Sequence, residues 1–88
     1  MAVITIKTSP AVGFERAKRL AERRLSSDMA HPMTLSWYDR CSGRGSIDHE
    51  CAAEGEQSWE TYGRTRGGTR VDVGRCYSFY VGDAAKEG

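Results

Sequence analysis

No apolar stretch in this chain is long enough to cross a bilayer, and no hydrophobic signal-peptide core follows Met1. The expected compartment is therefore the cytoplasm. An excess of one charge is also missing: 13 basic against 12 acidic residues leave a net charge of +1. That balance argues against bulk attraction to nucleic acid or anionic lipid. Cysteine is scarce and odd in number, three in all, which fits reduced thiols better than a disulfide framework. Internal repeats, low-complexity tracts and interdomain linkers are lacking too.

What remains is globular composition. Of 88 residues, 39% are apolar and 28% charged, which places the chain near the small end of domains that fold without staples. Residues 1–82 are expected to form one domain and 83–88 a frayed C-terminal tail. A core this small offsets chain entropy narrowly, and a second copy would add buried area. A homodimer or larger assembly is the expected state.

Ala2 to Lys7 alternates and is β-branched, so it predicts a strand. Ser9 can cap a helix and Pro10 suits its first position, so the helix is expected from Pro10 to about Asp28. Phe14, Ala17, Ala21 and Leu25 make its apolar stripe, and Met29 extends it. Leu20 sits at the stripe's edge, as core or partner contact. His31-Pro32 interrupts the chain, and Met33 to Arg40 predicts a second strand with Met33, Leu35 and Trp37 on one face. Thr34, Ser36 and Tyr38 fall on the other face. Cys41 to Gln57 reads as loop, with a short extended piece over Ile47 to Cys51. Trp59 to Arg66 predicts a short helix stopped by Gly67-Gly68. Thr69 to Val81 predicts a hairpin. A three-residue loop, Gly74-Arg75-Cys76, sets Val73 opposite Tyr77 and Val71 opposite Phe79, which keeps the apolar residues on one face. Phe14, Leu25, Leu35, Trp37 and Phe79 are the expected core. Tyr38, Tyr80, Thr34, Ser36, Ser78, Arg70 and Asp72 should form the outer sheet face, which suits a partner.

The run Ser36-Trp37-Tyr38-Asp39-Arg40, a Gly/Ser turn, His49-Glu50-Cys51, then Trp59-x-x-Tyr62 and the strands after it resemble a small uncharacterised α/β family of anaerobic archaea and bacteria. The resemblance covers roughly Ser36 to Val81. It implies a fold and no catalytic residues. The turn at Val73-Gly74-Arg75-Cys76 is poorer in Asn and Asp than the family's.

The segment Ser36–Cys51 concentrates chemistry. Cys41, His49 and Cys51 offer metal-ligand atoms, with His31 or Cys76 as a fourth, and zinc or iron is the metal such a set would take. Their C-x7-H-x-C spacing lacks the C-x2-4-C or H-x3-5-H pairs of structural zinc sites, so no metal or other cofactor is predicted. Cys51 beside His49 lacks any sequence sign of a lowered thiol pKa. His49-Glu50-Cys51 is not a deaminase signature, which needs a separate Pro-Cys-x-x-Cys. Gly43-Arg44-Gly45-Ser46 lacks the Lys-Ser/Thr ending of a phosphate loop, and Arg66-Gly67-Gly68 is a single instance of an RNA-binding triplet. Asp39-Arg40 after Trp37-Tyr38 forms either a pocket wall or a clamp in which Arg40 ties the following loop to Asp39, Asp48 or Glu50.

The expected fold is α+β: a single small domain, β-α-β-loop-α-β-β, with about four mostly antiparallel strands and the main helix packed on one face. The expected function is a small cytoplasmic binding or interaction module, self-associating, rather than an enzyme. Its candidate ligand or partner site is Trp37, Tyr38, Asp39, Arg40, His49 and Tyr80. A metal- or thiol-dependent module centred on Cys41, His49 and Cys51 is the alternative. A small acid–base enzyme around Asp39, Arg40 and His49 is the third.

Overall fold

The computed structural model of the chain describes residues 3–9, 12–46 and 58–84. Their order is β1 (Ile4–Ile6), α1 (Phe14–Arg24), β2 (Pro32–Asp39), β3 (Arg44–Gly45), α2 (Ser58–Thr65), β4 (Thr69–Val73) and β5 (Tyr77–Asp83). The strands form one sheet in the order β1-β4-β5-β2-β3. β1 runs parallel to β4, and the other pairs are antiparallel. The α+β expectation holds, with β3 as a short addition at one edge.

The hairpin has the expected register. Val73 faces Tyr77 and Val71 faces Phe79 across β4 and β5. Gly74 takes a positive φ of 63° in the loop, and its N–H donates to the Ile6 carbonyl at 2.9 Å, continuing the β1–β4 seam. α2 ends as expected: Gly67 adopts φ 75°, and the Gly68 N–H reaches back to the Gly63 carbonyl at 2.9 Å.

α1 starts later than the Ser9-Pro10 pair predicts. The Ser9 carbonyl accepts the Val12 N–H at 3.1 Å in a turn. The helix then opens at Gly13, which offers no side-chain cap. Pro10 lies outside the described residues. At the other end Arg23 and Arg24 complement the helix dipole. Turns then carry the stripe on, with the Leu25 carbonyl accepting the Asp28 and Met29 N–H groups at 3.0 and 2.9 Å.

Two expectations about faces are overturned. The first placed Met33, Leu35 and Trp37 together. A register shift between Thr34 and Ser36 on β2 breaks that alternation. Trp37 lies against Phe14 of α1, with ring centroids 4.6 Å apart. Leu35 instead borders Gly68 and Gly82, near the end of α2. Thr34 turns toward α1, where its N–H and hydroxyl donate to Glu22 Oε2 at 3.1 and 2.9 Å. Leu35 is therefore outside the α1 core, which consists of Ala17, Ala21, Leu25, Val71, Val73, Phe79 and Val81. Phe14, Trp37 and Leu20 pack against it, half-buried.

The second left the outer sheet face open to a partner. The two helices lie on opposite faces of the sheet. Phe79 packs against Phe14 of α1, whereas its neighbour Tyr80 packs against Trp59 of α2, and adjacent strand residues point to opposite faces. α2 therefore covers the sheet face expected to be open. Ser36 and Ser78 are fully buried beneath it, and the Ser36 hydroxyl donates to the Trp59 carbonyl at 2.6 Å.

Order also extends past residue 82. The Asp83 carboxylate accepts the Ala30 and His31 N–H groups, each at 3.2 Å. The Ala84 N–H donates to the His31 carbonyl at 2.9 Å.

Candidate functional site

β2 carries Trp37 and Tyr38 on opposite faces, so the two rings do not line one pocket. Trp37 belongs to the α1 layer. Tyr38 stacks on Trp59, with centroids 5.7 Å apart and planes 10° off parallel. Tyr80 tilts against the same indole at 5.5 Å and is buried, as is Trp59. Arg70 lies over Trp59 at 5.4 Å and pairs with Asp72 at 3.0 Å and Glu60 at 3.5 Å. Partial burial opposes its charge, but the Asp72 hydrogen bond and the nearby carboxylates outweigh that, and its pKa is raised. This aromatic layer is a packing core between α2 and the sheet.

Asp39 and Arg40 form a clamp whose partners among the described residues lie in the turn after β2 and in the β4–β5 hairpin. Asp39 closes its own turn: Oδ1 accepts the Cys41 N–H at 3.0 Å, and Oδ2 accepts the Ser42 hydroxyl at 2.9 Å. Arg40 crosses to the β4–β5 hairpin. Its N–H donates to the Cys76 carbonyl at 2.8 Å, and its guanidinium donates to the Arg75 carbonyl at 3.1 Å and to the Ser78 hydroxyl. The pairing of Asp39 with Tyr77 brings these two turns together.

The same juxtaposition overturns the expectation of three reduced thiols. Cys41 and Cys76 are joined by a disulfide, with Cα atoms 5.1 Å apart, a separation suited to the bond. Cys76 is therefore Cys41's partner. His31 stands at the opposite end of β2 from Cys41, too distant to share a metal with it. His49 and Cys51, with Asp48 and Glu50, lie outside the described residues, as does the expected extended piece over Ile47 to Cys51.

A cleft that local sequence patterns did not indicate lies at the other end of the sheet. It encloses about 490 Å³ between the ends of α1 and α2, within the usual range of ligand pockets, about 300–1,000 Å³. Ile4, Leu25 and Met29 give it an apolar wall, while Asp28, Asp83, Arg66 and Thr69 give it polar groups. Arg66 is steadied over the Tyr62 ring, 4.1 Å from its centroid. Asp83 is held by the backbone of Ala30 and His31. A second groove, of about 470 Å³, runs beside Arg16 and Leu20 of α1. It has fewer charged groups to orient a ligand.

A family described as a domain of unknown function, DUF5619, matches residues 1–81. The fold is similar to the crystal structure of protein AF1514 from Archeoglobus fulgidus DSM 4304, with a TM-score of 0.79 and 27% identity, over 100% of this chain and 99% of that one. Among curated proteins, none matches the chain.

Proposed function

The chain belongs to the DUF5619 family, to which no function is assigned, and on that premise we propose that it is a small binding module whose ligand occupies the cleft between the ends of α1 and α2. The observation that carries this reading is the meeting of Asp28, Asp83 and Arg66 around an apolar wall in a space of ligand size. Opposite charges on a shared rim suit a small zwitterion with an apolar body. Its cation would face Asp28, its anion Arg66, and its body Ile4, Leu25 and Met29. Free leucine and phenylalanine are suitable probes. Titration to about 1 mM, where even weak sites begin to fill, is expected to move the amide resonances of Leu25, Met29, Thr69 and Gly82. Arg66→Ala should weaken the response about tenfold or more, since a charge-assisted contact contributes roughly 1.5–3 kcal/mol. Unmoved cleft amides, or an unchanged response in Arg66→Ala, would remove the cleft from consideration.

A second reading, self-association, is supported by β1. Among the described residues this strand pairs on one side only, with β4, as an edge of the sheet, and Val3 before it is 50% exposed. A free, β-branched edge is a template for another strand. The expected species at tens of micromolar is a dimer, converted to monomer by Val3→Asp. Sedimentation of wild-type protein as a monomer would sink this reading.

We retain the cytoplasm as the proposed compartment. Among the described residues, no helix is long and apolar enough to cross a membrane. Cytoplasmic dithiol pools would act on the Cys41–Cys76 bond.

A further inference from the structure

We propose that reduction of the Cys41–Cys76 disulfide creates a zinc site from the two cysteine thiolates and the Asp39 carboxylate. The ligand atoms of these three residues lie within 4.8 Å of one another. In a tetrahedral zinc site such atoms stand roughly 3.5–3.8 Å apart, as bond lengths of about 2.0–2.3 Å require. Small side-chain rotations close the difference. Soft thiolates favour zinc over calcium or magnesium.

Convergence does not depend on the disulfide alone. Arg40 ties the two turns together independently, through its N–H to the Cys76 carbonyl at 2.8 Å and its guanidinium to the Arg75 carbonyl at 3.1 Å. The ladder between β2 and β5 ends at Asp39 and Tyr77, each two residues or fewer from a cysteine. Breaking the S–S bond therefore leaves two thiols facing each other. Asp39 Oδ1 accepts the Cys41 and Ser42 N–H groups at 3.0 and 3.4 Å, while Oδ2 accepts the Ser42 hydroxyl and keeps its second acceptor site for a metal. Cys41 is exposed, so the fourth position opens to solvent.

The chemistry balances with a dithiol reductant. Its two thiols give two electrons and two protons to the protein disulfide and become a disulfide themselves. The protein's two thiols then release two protons as zinc binds their thiolates. The oxidised state cannot bind in this way, since both sulfurs are engaged in the covalent bond. Oxidation thus excludes the metal, and the metal protects the pair from oxidation. This ligand set differs from Cys41, His49 and Cys51.

Cobalt is a suitable probe, because its thiolate complexes have charge-transfer and tetrahedral ligand-field bands. Full-length protein, reduced and freed of reductant under anaerobic conditions, is expected to bind one equivalent of cobalt, displaced by zinc. The oxidised protein should show no such band. Cys76→Ser should abolish the one-equivalent endpoint, Asp39→Ala should weaken binding about tenfold or more, and Cys51→Ser should leave it intact. Asp39→Ala retains both thiols, so it tests the set even if Cys76→Ser fails to fold. Absence of the band in reduced protein would overturn the proposal. So would equal binding by oxidised protein, an unchanged affinity in Asp39→Ala, or loss of binding in Cys51→Ser.

Discussion

Replacing Phe79 with alanine is expected to cost about 3–5 kcal/mol, the range for truncating a buried Phe. Phe79 is fully buried on β5, between β4 and β2 in the sheet. Its ring meets Phe14 at 5.7 Å and Tyr77 at 6.3 Å. The void would open between the sheet and α1, where the strand ladders on both sides restrain collapse. For a domain of this size each kcal/mol shifts the melting temperature by about 4–8 °C, so a fall of about 15 °C or more should be seen. Urea unfolding of both proteins, with the disulfide intact, measures the difference. A loss below about 1 kcal/mol would mean that the ring is not the centre of this core.

Gly63→Ala is expected to destabilise by about 3 kcal/mol, against the usual effect of that substitution. Alanine in a helix interior normally gains about 1 kcal/mol over glycine. Here a Cβ would lie 2.2 Å from Tyr80 Cγ and 2.3 Å from Tyr80 Cβ. Those atoms are close to the backbone of β5 and cannot swing away, so α2 would have to lift off the sheet. Overpacking of this kind costs about 1–3 kcal/mol and occasionally more. Trp59 would lose its contacts with Tyr38 and Tyr80, and fluorescence should report that displacement. Wild-type stability or better in Gly63→Ala would contradict the close approach of helix and sheet.

Much of the fold was legible because its signals are local. Period-two alternation and loop length set the β4–β5 register, and the paired glycines marked the end of α2. The bulge at Leu35 was not legible. Leu35 continues the alternation of Met33 and Trp37, and nothing nearby in sequence announces that Gly68 and Gly82 leave room for it on the other face. Gly63, inside α2, carries by sequence no signal beyond that of a poor helix former. Its role emerges only when Tyr80 is placed beneath it.

The site shows the same division. The Asp39-Arg40 clamp was anticipated as a type of interaction, but its hairpin partners depend on the β2–β5 pairing. The disulfide joins Cys76 in the hairpin loop to Cys41 just after β2, two positions whose proximity follows only from the β2–β5 pairing. Odd cysteine number argued against a bridge, yet an odd count requires only that one thiol be left over. Asp28, Arg66 and Asp83 come from the ends of three elements, so only the chain's topology brings them together.

The pairing of β1 with β4 also bears on synthesis. Ile4 finds its register opposite Val71, near the far end of the chain. A nascent chain emerging N-terminus first therefore cannot complete this sheet until residues 69–73 have left the ribosome. Until then α1 carries Ala17, Ala21 and Leu25 with no sheet to cover them. Domains with such long-range pairings fold slowly and expose apolar surface meanwhile. Native structure should thus come only after residues 69–83 are made, and a holding chaperone would find its target in α1.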